Sequence, residues 1–180
     1  MERIITDKKM WRQEYLVWEK ILDISFRDVA GNFAFPGFKY FYGVKPSIAE
    51  SRKGTSGRRD LMGAIWWDCP YGIRLKFLWQ TIACLGFTVN DEKTLRVVQL
   101  QGVLGKQEYL KGLRWERMLI RLLVGAASEL GYEKIYVQPG KDNRWVDKDI
   151  KAYKLRYDVS AKREGFKYDP ASGDYVLKLT

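Results

Sequence analysis

Lys111-Gly112-Leu113-Arg114-Trp115-Glu116 stands where a strand hands over to an amphipathic helix, and no other stretch of the chain is better equipped for chemistry. The first N–H groups of a helix have no partner inside it, and the macrodipole is positive at that end. A strand feeding a helix start across a short loop is therefore an anion site. Lys111 and Arg114 add formal positive charge, and Gly112 lets the backbone approach a phosphate oxygen that a side chain would fend off. Glu116 pulls the other way, because a carboxylate in the first turn suits the helix dipole but repels a phosphate. Two further basic groups stand nearby in composition. Arg117 and Arg121 continue a stripe with Lys111 and Arg114 along the helix, and Arg52, Lys53, Arg58 and Arg59 crowd the polar, glycine-bearing segment SIAESRKGTSGRRD. That segment reads either as a solvated tip or as an arm that contacts phosphate.

The wider composition narrows the chemistry. Histidine is absent, which removes His-based triads, His metal sites and imidazole proton shuttles. Cys69 and Cys84 make neither a disulfide framework nor a metal-ligand pattern, so no metal is expected and a reducing cytoplasm is the natural compartment. The balance of 32 Lys and Arg against 22 Asp and Glu leaves +10, a field that draws polyanions: nucleic acid, a phosphorylated cofactor or an acidic surface. No apolar run reaches the eighteen or so residues of a membrane span, and MERIITDKKMW lacks the apolar core of a secretion signal. Neither a membrane nor export is expected. With 180 residues the chain suits one domain with a real core.

The elements that must hold these residues follow from periodicity. Residues 7–24 repeat apolar positions at Trp11, Tyr15 or Trp18, and Leu22, which predicts a helix with Asp7 as its N-cap. VAGNFAFPGF breaks structure. Phe38–Val44 alternates as a strand, and Asp60–Cys69 reads as its hairpin partner. Ile73–Cys84 reads as a helix stopped by Gly86, and Phe87–Asp91 as a short edge strand. Leu95–Leu104 is a central strand. The helix over Leu113–Leu130 turns Trp115, Leu119, Leu122, Ala126 and Leu130 to one face and ends at Gly131, before a strand at Lys134–Gln138. That crossover implies a locally parallel pair. The charged run after Pro139-Gly140 is helical with a break near Tyr157-Asp158, and Phe166–Asp169 with Tyr175–Leu179 closes the chain as a hairpin. The expected class is α/β (α+β): a single domain over 1–180 with a mixed central sheet flanked by helices. Its parts are a helical region at 1–30, a sheet half at 38–104, and a unit at 111–180.

Strand, loop and helix, followed by SAKREGFKYDPASGDYVLKL with its Gly165-Phe166 pair, resemble the GNAT superfamily of acyl-CoA-dependent N-acyltransferases over residues 38–180. The resemblance implies acetyl-CoA or another acyl-CoA as cofactor, and a small-molecule or protein amine as acceptor. It places cofactor contacts at Leu100, Gly102 and Val103 on the central strand and at Lys111, Gly112, Leu113, Arg114 and Trp115 at the helix start. Of the family's glycine loop only Gly112 is kept, with Arg114 and Glu116 at positions the family keeps small. Gly102 fits the bulge that splays two parallel strands to admit a pantetheine arm.

Where the family places a catalytic tyrosine, this chain has Ala161; Tyr157, one turn earlier, is either its substitute or an ordinary packed residue. Gln101, with Gln99, cannot ionise but can orient a water or an amine. A strand N–H can stabilise a developing oxyanion, so acyl transfer survives the loss of an acid. Two alternatives remain open. One is a GNAT-like module whose cofactor site has decayed and whose basic residues, Arg52, Lys53, Arg58, Arg59, Arg117 and Arg121, bind nucleic acid. The other is a relative of the phage Mom-type DNA-modifying enzymes. The chain is expected to be a monomer or a homodimer.

Overall fold

A computed structural model describes Trp18, Lys20, the backbone of 44–50, and residues 65, 67–77, 80–91, 93–111 and 113–179. The arginine-rich segment Arg52–Arg59, most of the expected 7–24 helix, the strand predicted from Phe38 and Gly112 lie outside the described residues. Among the described residues seven strands form one sheet in the order β1-β2-β3-β4-β5-β7-β6. They are β1 (Val44–Glu50), β2 (Tyr71–Phe77), β3 (Gln80–Asp91), β4 (Thr94–Gly102), β5 (Lys134–Val137), β6 (Lys167–Asp169) and β7 (Asp174–Lys178). Of these pairs β4 and β5 run parallel and the others antiparallel. This is the mixed, helix-flanked α/β architecture that the sequence leads one to expect. Among the described residues no helix is long and apolar enough to cross a membrane.

The first half of the sheet corrects the sequence reading. Ile73–Cys84 is not a helix but β2 and the opening of β3, and Gly86, read as a helix stop, lies inside β3. β2 alternates as a strand should, with Ile73 and Leu75 fully buried. In β3, Ile82, Ala83, Cys84 and Leu85 are all fully buried, so both faces of the strand are covered. A strand of that kind carries an unbroken apolar run, which periodicity alone cannot tell from a buried helix. Gly86 is required by packing: a Cβ there would lie 2.2 Å from Cys69 Sγ. Phe87–Asp91 is the end of this central strand rather than an edge. Asp60–Cys69 forms no strand among its described residues, and β1 begins where the Phe38–Val44 strand was to end. Pro46 is tolerated within β1 because that strand is the sheet edge.

The second half follows the expectation closely. A short helix α1 (Gln107–Leu110) leads into α2 (Trp115–Glu129), which crosses over to β5. Met118, Leu119, Leu122, Leu123 and Ala126 of α2 are buried on one face of the sheet, against Ile73, Leu75, Leu95 and Val97. Each of the Met and Leu side chains contributes about 1.5–3 kcal/mol when withdrawn from water. Gly131, at φ 77°, ends the helix in the left-handed conformation glycine adopts without strain. Trp18, nine-tenths buried, closes the same core with its ring 5.6 Å from that of Phe87. A smaller cluster of Ile65, Trp67, Cys69, Cys84 and Val103 forms separately.

After β5 come a 3-10 turn (Gly140–Asp142), a second (Val146–Lys148), then α3 (Ile150–Lys154), a π turn (Leu155–Val159) and α4 (Ser160–Arg163). The break expected near Tyr157-Asp158 is this π turn, and the helix passes through it uninterrupted. Gly165 (φ 90°) then stops the helix and Phe166, nearly fully buried, enters the core.

Candidate active site

β4 and β5 pair only over Thr94–Val97 and Lys134–Val137. The reason is a bulge: between Gly86 and Phe87 of β3 the partner register skips from Gln99 to Val97, leaving Val98 as the extra residue. The bulge is thus at Val98, not at Gly102 where the resemblance put it. Beyond it the strands part. Gln138 bridges the opening of the split, its Nε2 donating to Val98 O at 2.7 Å.

Tyr157 fills the split itself. The π turn delivers its ring from above, and its hydroxyl accepts from Leu100 N at 2.8 Å and from Asn143 Nδ2 at 2.9 Å, and donates to Val98 O at 3.4 Å. The residue is 1% exposed, and burial raises its phenol well above the ordinary range, so it stays neutral. The position predicted for a catalytic acid is therefore a fully satisfied structural junction. A widened helical turn explains how: one extra residue re-aims the side chain, and such turns recur at functional sites.

Several predicted cofactor donors are likewise spent internally. Leu100 N goes to Tyr157, Val103 N to Ile82 O at 2.9 Å, Lys111 N to Gln107 O at 2.9 Å, and Leu113 N to Leu110 O at 3.1 Å. Leu113 also buries its side chain in the core, so it is not a ligand-facing group.

A cleft nevertheless lies beside them. A cavity of about 410 Å3 opens between the end of β4 and the start of α2, walled by Gly102, Val103, Leu110 and Trp115, with Lys111, Glu116 and Arg156 as its charged groups. Gly102 leaves room at its floor: a Cβ there would crowd the end of the Leu110 side chain, Cδ1 at 3.0 Å, and touch Trp115 Cζ2 at 3.4 Å. Arg114, at the N-cap, is exposed and takes the left-handed conformation (φ 43°), strained for a residue with a side chain, and no side chain caps the helix. Glu116 is pushed up by burial, opposed by a hydrogen bond to its own backbone N–H and by Arg156.

Arg156 was invisible to the sequence reading. Its guanidinium lies 5.8 Å from the Trp115 ring and 5.4 Å from that of Tyr153, and its Nη1 approaches Leu100 O at 3.5 Å. Its Nε is buried with no hydrogen-bond partner. A buried donor left unpaired costs about 1–3 kcal/mol, which an acceptor entering the cleft would recover.

Gln101 points the other way. Alternation along β4 after the bulge puts Gln99 and Gln101 on one face and Leu100 with Gly102 on the other. Gln99 Nε2 donates to Gln101 Oε1 at 2.8 Å, and Gln99 Oε1 accepts from Asp68 N at 3.1 Å. Asp68 itself pairs with Arg144 and accepts from Trp145 Nε1 at 3.4 Å; burial raises its carboxyl in spite of Arg144. Two of the arginines predicted to meet nucleic acid, Arg117 and Arg121, hold a carboxylate. Arg117 Nε and Arg121 Nε clasp opposite oxygens of Glu164, at 2.7 and 2.8 Å.

No protein-family profile matches the chain, and no curated protein sequence matches it. Among solved structures it is similar to Ard1 from Thermoplasma volcanium, at 12% identity and a TM-score of 0.39, over 61% of this chain and 70% of that one. So loose a likeness says nothing about substrate.

Proposed function

We propose that the protein is an acyl-CoA-dependent N-acyltransferase whose cofactor, acetyl-CoA or a related acyl-CoA, occupies the cleft between the end of β4 and the start of α2. The observation that carries this reading is Arg156: a stacked guanidinium with an unpaired buried Nε, on the wall of a cavity that also holds Lys111. Lys111, Arg114 and Arg156 hold the anionic end by charge. Leu110 and Trp115 wall the apolar side, and the backbone of Gly102 and Val103 flanks the arm. Bound acyl-CoA supplies an activated acyl group. The chain supplies positioning, which accounts for much of the acceleration in transfer to an amine. Gln101, on the opposite face of β4, orients the acceptor amine or a water. Tyr157 can yield its proton only by giving up Val98 O, so its first role is to hold β4 in place.

Thermal unfolding with CoA tests the reading. A ligand at a hundred times its dissociation constant adds about 2.7 kcal/mol, roughly 5–10 °C for a chain of this length. Arg156→Ala and Lys111→Ala should shrink the shift. Unchanged melting in millimolar CoA overturns the proposal, and thiol release from acetyl-CoA with a panel of amines then measures turnover.

A second reading is favoured by one observation, the Tyr157 hydroxyl seated on Leu100 N–H. If that seat is permanent, the reacting end is closed and the fold serves as a binding module. The module predicts no CoA shift together with steeply salt-dependent binding of nucleic acid.

A further inference from the structure

A second cavity, of about 320 Å3, shares no lining residue with the first. Lys141 comes to it from the 3-10 turn after β5, Lys154 from α3, Lys162 from α4, Tyr168 from β6 and Tyr175 from β7. Segments well separated in sequence thus bring three ammonium groups to one concavity. None of the three makes an ion pair among the described residues. The single carboxylate in the lining, Asp158, has its Oδ1 committed to Gly140 N at 2.7 Å. Unpaired like charges around a concave wall raise the local potential and concentrate anions there.

The aromatic half of the lining sharpens the ligand. Tyr175 is buried, with Lys162 Nζ 5.6 Å from its ring centroid. Tyr168 stands edge-on to it, the centroids 5.5 Å apart, and is 47% exposed. An open tyrosine ring beside three lysines matches a ligand with a planar ring and a phosphate, because a base stacks on an aromatic face while cations follow the backbone. An acidic peptide would satisfy the lysines but leave the ring without a partner. The volume is at the small end of ligand pockets, which run from about 300 to 1,000 Å3.

We propose that this pocket binds a nucleotide unit, its phosphate among Lys141, Lys154 and Lys162 and its base on Tyr168. The unit is either a free nucleotide or one residue of a single strand. Nothing in this rests on the acyl-CoA reading, and CoA stabilisation and oligonucleotide binding are scored separately.

The test is fluorescence anisotropy of the full chain with a labelled ten-nucleotide oligo(dT) across a salt series. One phosphate neutralised on a single strand contributes a log–log salt slope of about −0.7. The Lys141→Ala, Lys154→Ala, Lys162→Ala triple variant should lose a slope of that size. Tyr168→Ala should weaken binding about tenfold with the slope unchanged. Lys178→Ala, at an exposed lysine outside the pocket, should alter neither. Melting curves of each variant verify that it is folded. Displacement of the label by a mononucleotide assigns the pocket to free nucleotides; displacement only by strands assigns it to single-stranded nucleic acid. No binding at low salt overturns the proposal. So does a triple variant with the native slope, an equal effect of Lys178→Ala, or poly-glutamate competing as well as the oligonucleotide while Tyr168→Ala has no effect.

Discussion

Tyr157→Phe removes one oxygen and orphans two donors. Leu100 N–H and Asn143 Nδ2–H both point at the lost hydroxyl, at 2.8 and 2.9 Å, in a site that is 1% exposed. Each buried donor left without an acceptor costs about 1–3 kcal/mol. The phenylalanine ring keeps the packing, so the loss should be near 3 kcal/mol rather than the larger cost of a cavity. In urea, with a slope of about 2 kcal/mol/M, the midpoint should fall by roughly 1.5 M at constant slope. Melting should drop by roughly 6–12 °C.

Tyr153→Phe is the control: that ring stacks on Tyr157 at 6.1 Å, and its change should cost under about 0.5 kcal/mol, as removal of a group without a buried partner does. The pH dependence gives a second handle. The folded-state phenol is raised above the ordinary value of about 10, chiefly by burial. The folded state therefore binds its proton more tightly than the unfolded chain does. That contribution to stability is complete below pH 10 or so and is lost as pH rises through the raised value. The native protein should show this alkaline loss, and Tyr157→Phe should lack its share of it. A variant within 0.5 kcal/mol of the native chain would refute the reasoning.

Three further outcomes follow from contacts already described. Gly140→Ala should cost roughly 2–4 kcal/mol, measured by urea unfolding, because its Cβ would meet Tyr153 O at 2.5 Å and Lys154 N at 2.8 Å, backbone atoms that cannot turn aside. Glu164→Ala should lower stability by about 2 kcal/mol. It removes the carboxylate that Arg117 and Arg121 share, and since the Glu164 side chain is 5% exposed the deficit should persist in 1 M salt where a surface pair would fade. Glu116→Gln should tighten CoA about fivefold by calorimetry, the roughly 1 kcal/mol of one removed like charge; weaker CoA binding in that variant would contradict the proposed orientation.

What the residues disclosed depended on whether their signal was periodic. α2 was legible because an apolar stripe from Trp115 to Ala126 repeats at helical spacing and Gly131 marks its end, and β7 because Tyr175–Leu179 follows a turn. β3 was not, because a strand covered on both faces has no period to read. The cleft was half legible. Lys111, Trp115 and Gly102 do line it, and they stood out by charge and by glycine spacing. Arg156 was beyond reach of spacing rules, and Tyr157 was named by spacing but not its seat on β4, because the aim of both is set by a π turn that departs from 3.6 residues per turn. Glu116 looked like an intruder at a phosphate site, and only coordinates reveal its bond to its own amide.

The widened turn at Leu155–Val159 also fixes the phase between two anchors. Upstream of it the chain is tied to the 3-10 turns after β5; downstream, Ala161 and Phe166 are seated in the core. Each helical residue turns the chain by about 100°, so deleting any one residue between these anchors would restore an ideal helix and still rotate one anchor off its seat. Length in this segment is therefore constrained more tightly than composition. Substitutions on its exposed side, at Leu155 for example, should be absorbed where a single-residue deletion would not.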